Sequence, residues 1–206
     1  RGELGEKLPA LRGLYFGFTQ RSLWNIQAAS SPFYDTSYMP ELIYESQMMV
    51  RPDTGGGFHW LGFQAGVRHE SNGRDGPGSR SVNIAYFRPG VAFGRLDGWN
   101  LIVAPRVFAY VGGLSDNPDL GDYRGNLELL VVAGRNDGIA LALTGRAGYG
   151  ARKGSLQADL TFPLKSRRFF DFATYLLIQY WSGYGESLLG YNKQSSTVRA
   201  GFSLVR

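Results

Sequence analysis

An all-β, antiparallel transmembrane β-barrel is the fold class this sequence predicts, and three observations predict it. Apolar side chains recur at every second position over about ten segments, the period of a strand with one greasy face. Clusters of Gly, Asn, Asp and Pro separate the segments, so each ends in a turn. The positions between the apolar ones carry Arg68, Arg106, Glu128, Arg146, Asp159 and Asp171, charges able to pair with one another across a narrow lumen.

In chain order, Leu14, Phe16 and Phe18 share a face, and Gln20 follows in phase. Leu42, Tyr44, Met48 and Val50 alternate against Glu41, Glu45 and Gln47. Leu61, Phe63, Ala65 and Val67 lead into His69 and Ser71, with Gln64, Arg68 and Glu70 in the opposite phase. The next segment runs from Asn83 through Ala85 and Phe87. Leu101, Val103, Pro105, Val107, Ala109 and Val111 then oppose Asn100, Arg106 and Tyr110. Leu127, Leu129, Val131 and Ala133 oppose Asn126 and Glu128, and Ile139, Leu141 and Leu143 precede Arg146 on the other face. Leu156, Ala158, Leu160 and Phe162 oppose Gln157, Asp159 and Thr161. Phe170, Phe172, Leu176, Ile178 and Tyr180 oppose Asp171 and Gln179. Val198, Ala200, Phe202 and Leu204 oppose Arg199 and Ser203.

Composition bounds the answer. With 206 residues the chain is long enough for one large β domain, and 29 glycines with 14% aromatic residues suit many strands joined by turns. Mean hydropathy is −0.21, and no run approaches the roughly 18 apolar residues of a membrane helix. A barrel hides its hydropathy signal by alternation, so this value does not argue against a membrane. Without cysteine there is neither a disulfide framework nor a thiolate metal site. The net charge of +5 and pI near 9.5 suit an anionic lipid surface and equally a nucleic acid. No signal peptide, domain linker or low-complexity segment is visible, and residues 1–206 read as one domain.

A soluble antiparallel sandwich or a lipocalin-like barrel would show the same alternation, which does not itself say which face is outside. The charges between the apolar positions favour the membrane arrangement. So do Trp24, Phe33, Tyr38, Trp99, Tyr180, Trp181 and Tyr184, which gather near segment ends as interfacial girdles do. Connections also alternate between short turns, such as Arg135-Asn136-Asp137-Gly138, and longer polar loops, such as Gly112 to Asp122.

Chemistry concentrates at His69-Glu70-Ser71, where two polar residues continue the apolar face of their segment. A serine hydroxyl becomes a nucleophile when a base takes its proton, and a histidine base needs a third group to fix its tautomer. Asn83 opens the next segment beyond a loop rich in Gly and Ser. If that loop closes a hairpin, Asn83 stands beside His69, and its side-chain carbonyl can accept the imidazole N–H. A neutral amide also avoids a bare carboxylate next to hydrocarbon. A His-x-Ser pair is common and alone specifies no chemistry. The other histidine, His59, lies beside Gly55-Gly56-Gly57 and reads as a rim residue.

The stretch His69-Glu70-Ser71-Asn72-Gly73-Arg74, with Ser79-Arg80-Ser81 and Asn83, resembles the active-site segment of the bacterial outer-membrane phospholipase A family. So do Ser30-Ser31-Pro32-Phe33, Ser115-Asp116-Asn117-Pro118-Asp119 and Ser182-Gly183-Tyr184-Gly185-Glu186-Ser187-Leu188. The resemblance spans nearly the whole chain. It implies a twelve-stranded barrel in the bacterial outer membrane, about two strands more than the segments above supply. Arg1 to Lys7 looks like a turn, and Arg206 ends the chain without a terminal aromatic. The expectation is therefore a chain trimmed at the front and slightly at the back.

The resemblance further implies a calcium-dependent hydrolase of acyl esters in phospholipids and lysophospholipids, with no nucleic acid partner. Ser71 is then the nucleophile, His69 the base and later acid, Asn83 the orienting residue, and the Gly73 N–H an oxyanion donor beside a calcium-polarised water. The calcium (Ca2+) positions are the Arg74 carbonyl, the Ser79 hydroxyl and an oxygen of Ser30 from a second subunit. Asp116 matches an acidic residue linked to a second calcium position, whereas Gly76 departs from the acidic residue of the pattern. The implied active form is a homodimer, with Gln20 matching an interface glutamine. A passive pore and a structural barrel without catalysis are the competing functions.

Overall fold

The computed structural model describes residues 12–30, 32–46, 56–135, 137–164 and 174–204. Among the described residues ten strands pair antiparallel in sequence order into one sheet. They are β1 (Leu14–Trp24), β2 (Phe33–Glu45), β3 (Gly57–Ser71), β4 (Ser81–Gly94), β5 (Trp99–Tyr110), β6 (Leu127–Arg135), β7 (Ala140–Ala147), β8 (Gly154–Pro163), β9 (Tyr175–Gly183) and β10 (Ser195–Ser203). Among the described residues β1 and β10 are the edges. Short connections impose this order, since an antiparallel neighbour needs only a hairpin to reach it.

Exposure decides which face is outside. Phe16 and Phe202 are each 74% exposed, Val67 53% and Val107 51%, whereas Glu70 is 3% and Arg106 and Glu128 are each 5% exposed. The apolar face therefore looks outward and the charged face inward, the inverse of a water-soluble sandwich. Inside, Glu128 of β6 collects Arg146 at 2.6 Å, Arg106 at 2.9 Å and Arg88 at 3.3 Å, while Gln157 and Gln179 donate to Asp159. Arg106, Glu128 and Arg146 thus pair with one another as the sequence predicts, and Asp159 is held by neutral amides instead.

The connections β1–β2, β3–β4, β5–β6, β7–β8 and β9–β10 share one end of the sheet. At the other end lie tight turns such as Arg95–Gly98, closed by backbone bonds and an Arg95–Asp97 ion pair at 3.1 Å. The β5–β6 connection holds a short helix, α1 (Leu120–Arg124). Leu120 packs inside with Val82, Ile84, Tyr86, Leu188 and Tyr191, so α1 and the β9–β10 connection cap the interior at that end. Polar bonds fasten the cap. Arg124 donates to Glu70 of β3 at 3.0 Å and to the Gly185 carbonyl at 3.1 Å, and the Leu189 N–H donates to Asp35 of β2 at 3.1 Å.

Tyr191 in this cap donates its hydroxyl to Asp119. Burial, then the bond to that carboxylate, pushes the phenol up to about 12. Folded Tyr191 thus ionises later than an unfolded tyrosine, near 10, so its contribution is complete below pH 10 and disappears as pH rises towards 12. Tyrosinate absorbance should show phenol ionisation near pH 12, with part of that amplitude missing in Tyr191→Phe. A Tyr191→Phe titration identical to wild type would refute this.

Four readings of the sequence change. β2 begins at Phe33, well before Leu42, because its inward residues Asp35, Ser37 and Met39 and outward Thr36 and Tyr38 carry no hydropathy contrast. Leu61 is the extra residue of a bulge, with Trp60 paired to Val91 and Gly62 to Gly90. Phe58 and Trp60 accordingly share the outward face with Phe63 to Ser71, and Leu61 leaves it. Trp181 is buried on the inner face because Tyr180 takes the outward position, and Tyr184 packs against Tyr123 in the cap, so neither belongs to a girdle. Trp24, Phe33 and Trp99 do stand exposed at strand ends. Met48, Val50, Phe170, Asp171 and Phe172 lie outside the described residues.

Candidate active site

His69 and Asn83 face each other directly across β3 and β4. The Asn83 carbonyl accepts the Val111 N–H at 2.9 Å, so the Asn83 backbone points away from β3. His69 and Asn83 are therefore a pair without mutual backbone bonds, the kind whose side chains come closest. The His69 Nδ1–H donates to Asn83 Oδ1 at 2.8 Å. With the proton held on Nδ1, Nε2 keeps its lone pair and can act as a base.

Ser71 stands two residues further on the same outward face, opposite Ser81 of β4 and Tyr38 of β2. No described residue holds the Ser71 hydroxyl, so its rotor is free to turn towards the imidazole. His69 and Ser71 are half-buried, Asn83 is exposed, and next to them on this face are the exposed Val67 and its partner Ala85, with the exposed Phe87 two residues further. The other histidine, His59, is near the opposite end of β3, with its Nε2 bonded to the Gly94 carbonyl at 2.9 Å. It takes no part in this group.

The segment from Asn72 to Arg80 joins β3 to β4. Gly73 has φ of +65°, and a Cβ there would press on the Tyr38 ring at 3.0 Å, so both the backbone and the space require glycine. The Arg74 guanidinium donates to the Tyr34 carbonyl at 2.9 Å, fastening the turn to β2. The β5–β6 connection brings Asp116 against this turn, and its Oδ2 accepts the hydroxyls of Ser79 at 3.5 Å and Ser81 at 3.3 Å.

Oxygen donors dominate this place. Among the described residues no three His, Cys, Asp or Glu side chains cluster as a metal site. A cation here would rely on one carboxylate plus hydroxyl and carbonyl oxygens, a set that fits calcium better than zinc or copper. The structure thus brings Ser79, Asp116 and the turn carrying Arg74 together. Ser30, with φ of +63° in the β1–β2 connection, is at the same end, but no hydrogen bond links it to those residues. Nothing in the sequence marks Ser81 as a partner of Asp116 beyond its being in phase with Asn83, and the signal that Asn72 carries is that of a turn, Asn before Gly.

One row crosses the outer face perpendicular to the strands: Gln20 opposite Tyr38, Tyr38 opposite Ser71, Ser71 opposite Ser81. At the usual strand spacing Gln20 is about 10 Å from Ser71. Gln20 donates to Ser22 at 3.4 Å, and Thr36 to Ser22 at 3.1 Å, a polar patch on an otherwise apolar wall.

The family model for phospholipase A1 matches residues 5–204. The chain belongs to the phospholipase A1 family. A homologue of that name from Neisseria meningitidis serogroup B is 35% identical over 199 residues, covering 91% of this chain and 48% of the homologue. The chain thus spans about half the length of that relative. The outer membrane phospholipase A of Escherichia coli superposes with a TM-score of 0.78 at 30% identity, over 93% of this chain and 69% of that one. A form of it with an active-site asparagine changed to alanine superposes equally well. The outer membrane phospholipase of Salmonella typhi, a dimer with bound calcium, gives 0.78 at 29% identity, over 93% of this chain and 70% of that one. These matches fix the phospholipase A1 fold for the ten-stranded sheet.

Proposed function

We propose that this phospholipase A1 family chain forms the catalytic wall of a bacterial outer-membrane enzyme that hydrolyses acyl esters of phospholipids and lysophospholipids. The carrying observation is the His69–Asn83 hydrogen bond on the outward, apolar face, with Ser71 next in line. Substrate acyl chains already lie beside Val67 and Phe87, so the ester need not be drawn into water.

In this reading His69 Nε2 takes the Ser71 proton as Oγ attacks the ester carbonyl carbon. The Gly73 N–H meets the oxyanion, and collapse expels the lysolipid alkoxide, which takes the proton from His69. Water, deprotonated by His69, then releases the fatty acid from Ser71. Asn83 holds the imidazole throughout without placing a carboxylate against lipid. The active-site asparagine of the Escherichia coli protein supports that role.

The Arg74 carbonyl and Ser79 hydroxyl would hold calcium, which would supply positive charge beside the developing oxyanion, while Asp116, which accepts the Ser79 hydroxyl, belongs to the second calcium position. Ser30 would come from a second copy, and Gln20 would hydrogen-bond across that homodimer. The Salmonella typhi protein, a dimer with bound calcium, supports the calcium and the homodimer of this reading. Dimerisation then acts as the switch, because a lone subunit lacks one ligand and one wall of the acyl groove.

Hydrolysis of phospholipid by the refolded, complete protein should require calcium and stop on chelation, with chemical cross-linking of the dimer falling in parallel. Hydrolysis that continues in chelator would refute the metal assignment. Solute flux through liposomes without any hydrolysis would favour a pore instead.

A further inference from the structure

We propose that Asn72 is a positioning residue that sets the oxyanion donor and the calcium-facing carbonyl together, an inference that rests on the function proposed above. Asn72 is only 4% exposed although it sits at the mouth of a surface turn. Its side-chain Oδ1 accepts two backbone N–H groups, Arg80 at 3.0 Å and Arg74 at 3.3 Å. Its Nδ2 donates to the Gly78 carbonyl at 2.9 Å, and its own N–H to the Arg80 carbonyl at 3.1 Å. Both lone pairs of the carboxamide oxygen are therefore in use, and one amide spans the turn from both sides.

What these bonds leave out gives them their meaning. The turn is further closed by Ser79 N–H to Gly76 O at 3.0 Å and by the Arg80 guanidinium on the Pro77 and Ser79 carbonyls. None of these bonds uses the Gly73 N–H or the Arg74 carbonyl. Those two groups flank the peptide unit whose N–H, that of Arg74, is tied to Asn72. Fixing that N–H fixes the Gly73–Arg74 peptide plane. That plane lies between the Gly73 N–H and the Arg74 carbonyl, so fixing it, with Gly73 at φ of +65°, restricts the rotations about Gly73 and Arg74 that aim these two groups. Asn72 also follows directly on Ser71, so one residue couples the nucleophile's strand to both electrostatic groups.

Removing the amide should loosen both at once. In the complete, refolded protein Asn72→Ala should weaken calcium binding, measured by titration calorimetry with calcium alone, by about 10-fold to 100-fold, the usual cost of losing a partner that orients a ligand. At saturating calcium its kcat should fall about 10²-fold with KM for phospholipid vesicles little changed, since the misplaced oxyanion donor acts only in the transition state. Asn72→Asp keeps the acceptor but loses the donor to Gly78, and should fall between wild type and Asn72→Ala on both readouts. Circular dichroism melting checks that each variant is folded, and if Asn72→Ala is not, Asn72→Asp carries the test. Calcium affinity unchanged in a folded variant, or a loss confined to KM, overturns the inference. Full activity in Ser71→Ala would instead overturn the underlying function, whatever Asn72 does.

Discussion

Ser71→Ala is expected to lower phospholipid hydrolysis by the complete protein about 10⁴-fold or more, and His69→Ala about as much. The double variant should be scarcely worse than either. The serine without its base is a poor nucleophile, and the base without its serine has no proton to take, so the two act as one unit and their losses do not add. Calcium binding should survive in Ser71→Ala, because the hydroxyl is not among the oxygens around Asp116. A double variant whose loss is the product of the two single losses would mean that His69 and Ser71 act independently, and the proposed proton relay would fall. Asn83→Ala should cost less than either, because the imidazole remains present but loses the bond at 2.8 Å that selects its tautomer.

The order of these effects follows from position. In the proposed relay Asn83 would act only through His69, while Glu70, between His69 and Ser71, points to the other face and is held by Arg124 of the interior cap. The strand therefore has one side that carries the proposed catalytic residues and an anchored side facing the cap. This arrangement shows how the outer wall can carry polar residues. The residue between them is bonded inside, and the turn beyond them is closed by its own amide.

How much of this was legible in the sequence depended on where contrast between faces survives. In β5 every outward residue is apolar, as is every one in β6 before the terminal Arg135, and Arg106 and Glu128 point inward, so alternation alone places both strands. β2 resisted because its outward Thr36 and Tyr38 belong to the polar patch near the site, and its inward Asp35 and Ser37 are polar too, Asp35 being bonded to the cap. The bulge at Leu61 was invisible because one inserted residue leaves composition untouched while shifting the phase. His69, Ser71 and Asn83 were legible because period two and one hairpin suffice to bring them together. Asp116 comes 37 residues after Ser79, and only the fold of the β5–β6 connection joins them. Asn72 reads in sequence as an ordinary turn residue, and its burial, which sets it apart, has no sequence signature.

Glu128→Leu should be the most damaging substitution to the sheet itself. Its carboxylate lies within 3.3 Å of Arg88, 2.9 Å of Arg106 and 2.6 Å of Arg146, and it is buried with Arg106 on the inner face. Three guanidinium groups on adjacent strands repel one another strongly where little water can screen them, and the carboxylate is what allows all three to remain inside. Forming such a group gains little over an apolar one, but removing one member leaves unpaired charge and costs about 3–5 kcal/mol. Arg88→Leu should cost distinctly less, because Glu128 keeps two partners and like-charge repulsion falls. Breaking the exposed Arg95–Asp97 pair by Asp97→Ala should leave the unfolding midpoint in place. Urea unfolding of the detergent-refolded protein, followed by tryptophan fluorescence, separates the three variants. Glu128→Leu as stable as Asp97→Ala would show that water or other interior groups take over the charge of the arginines, and that the carboxylate is not what keeps the inner face together.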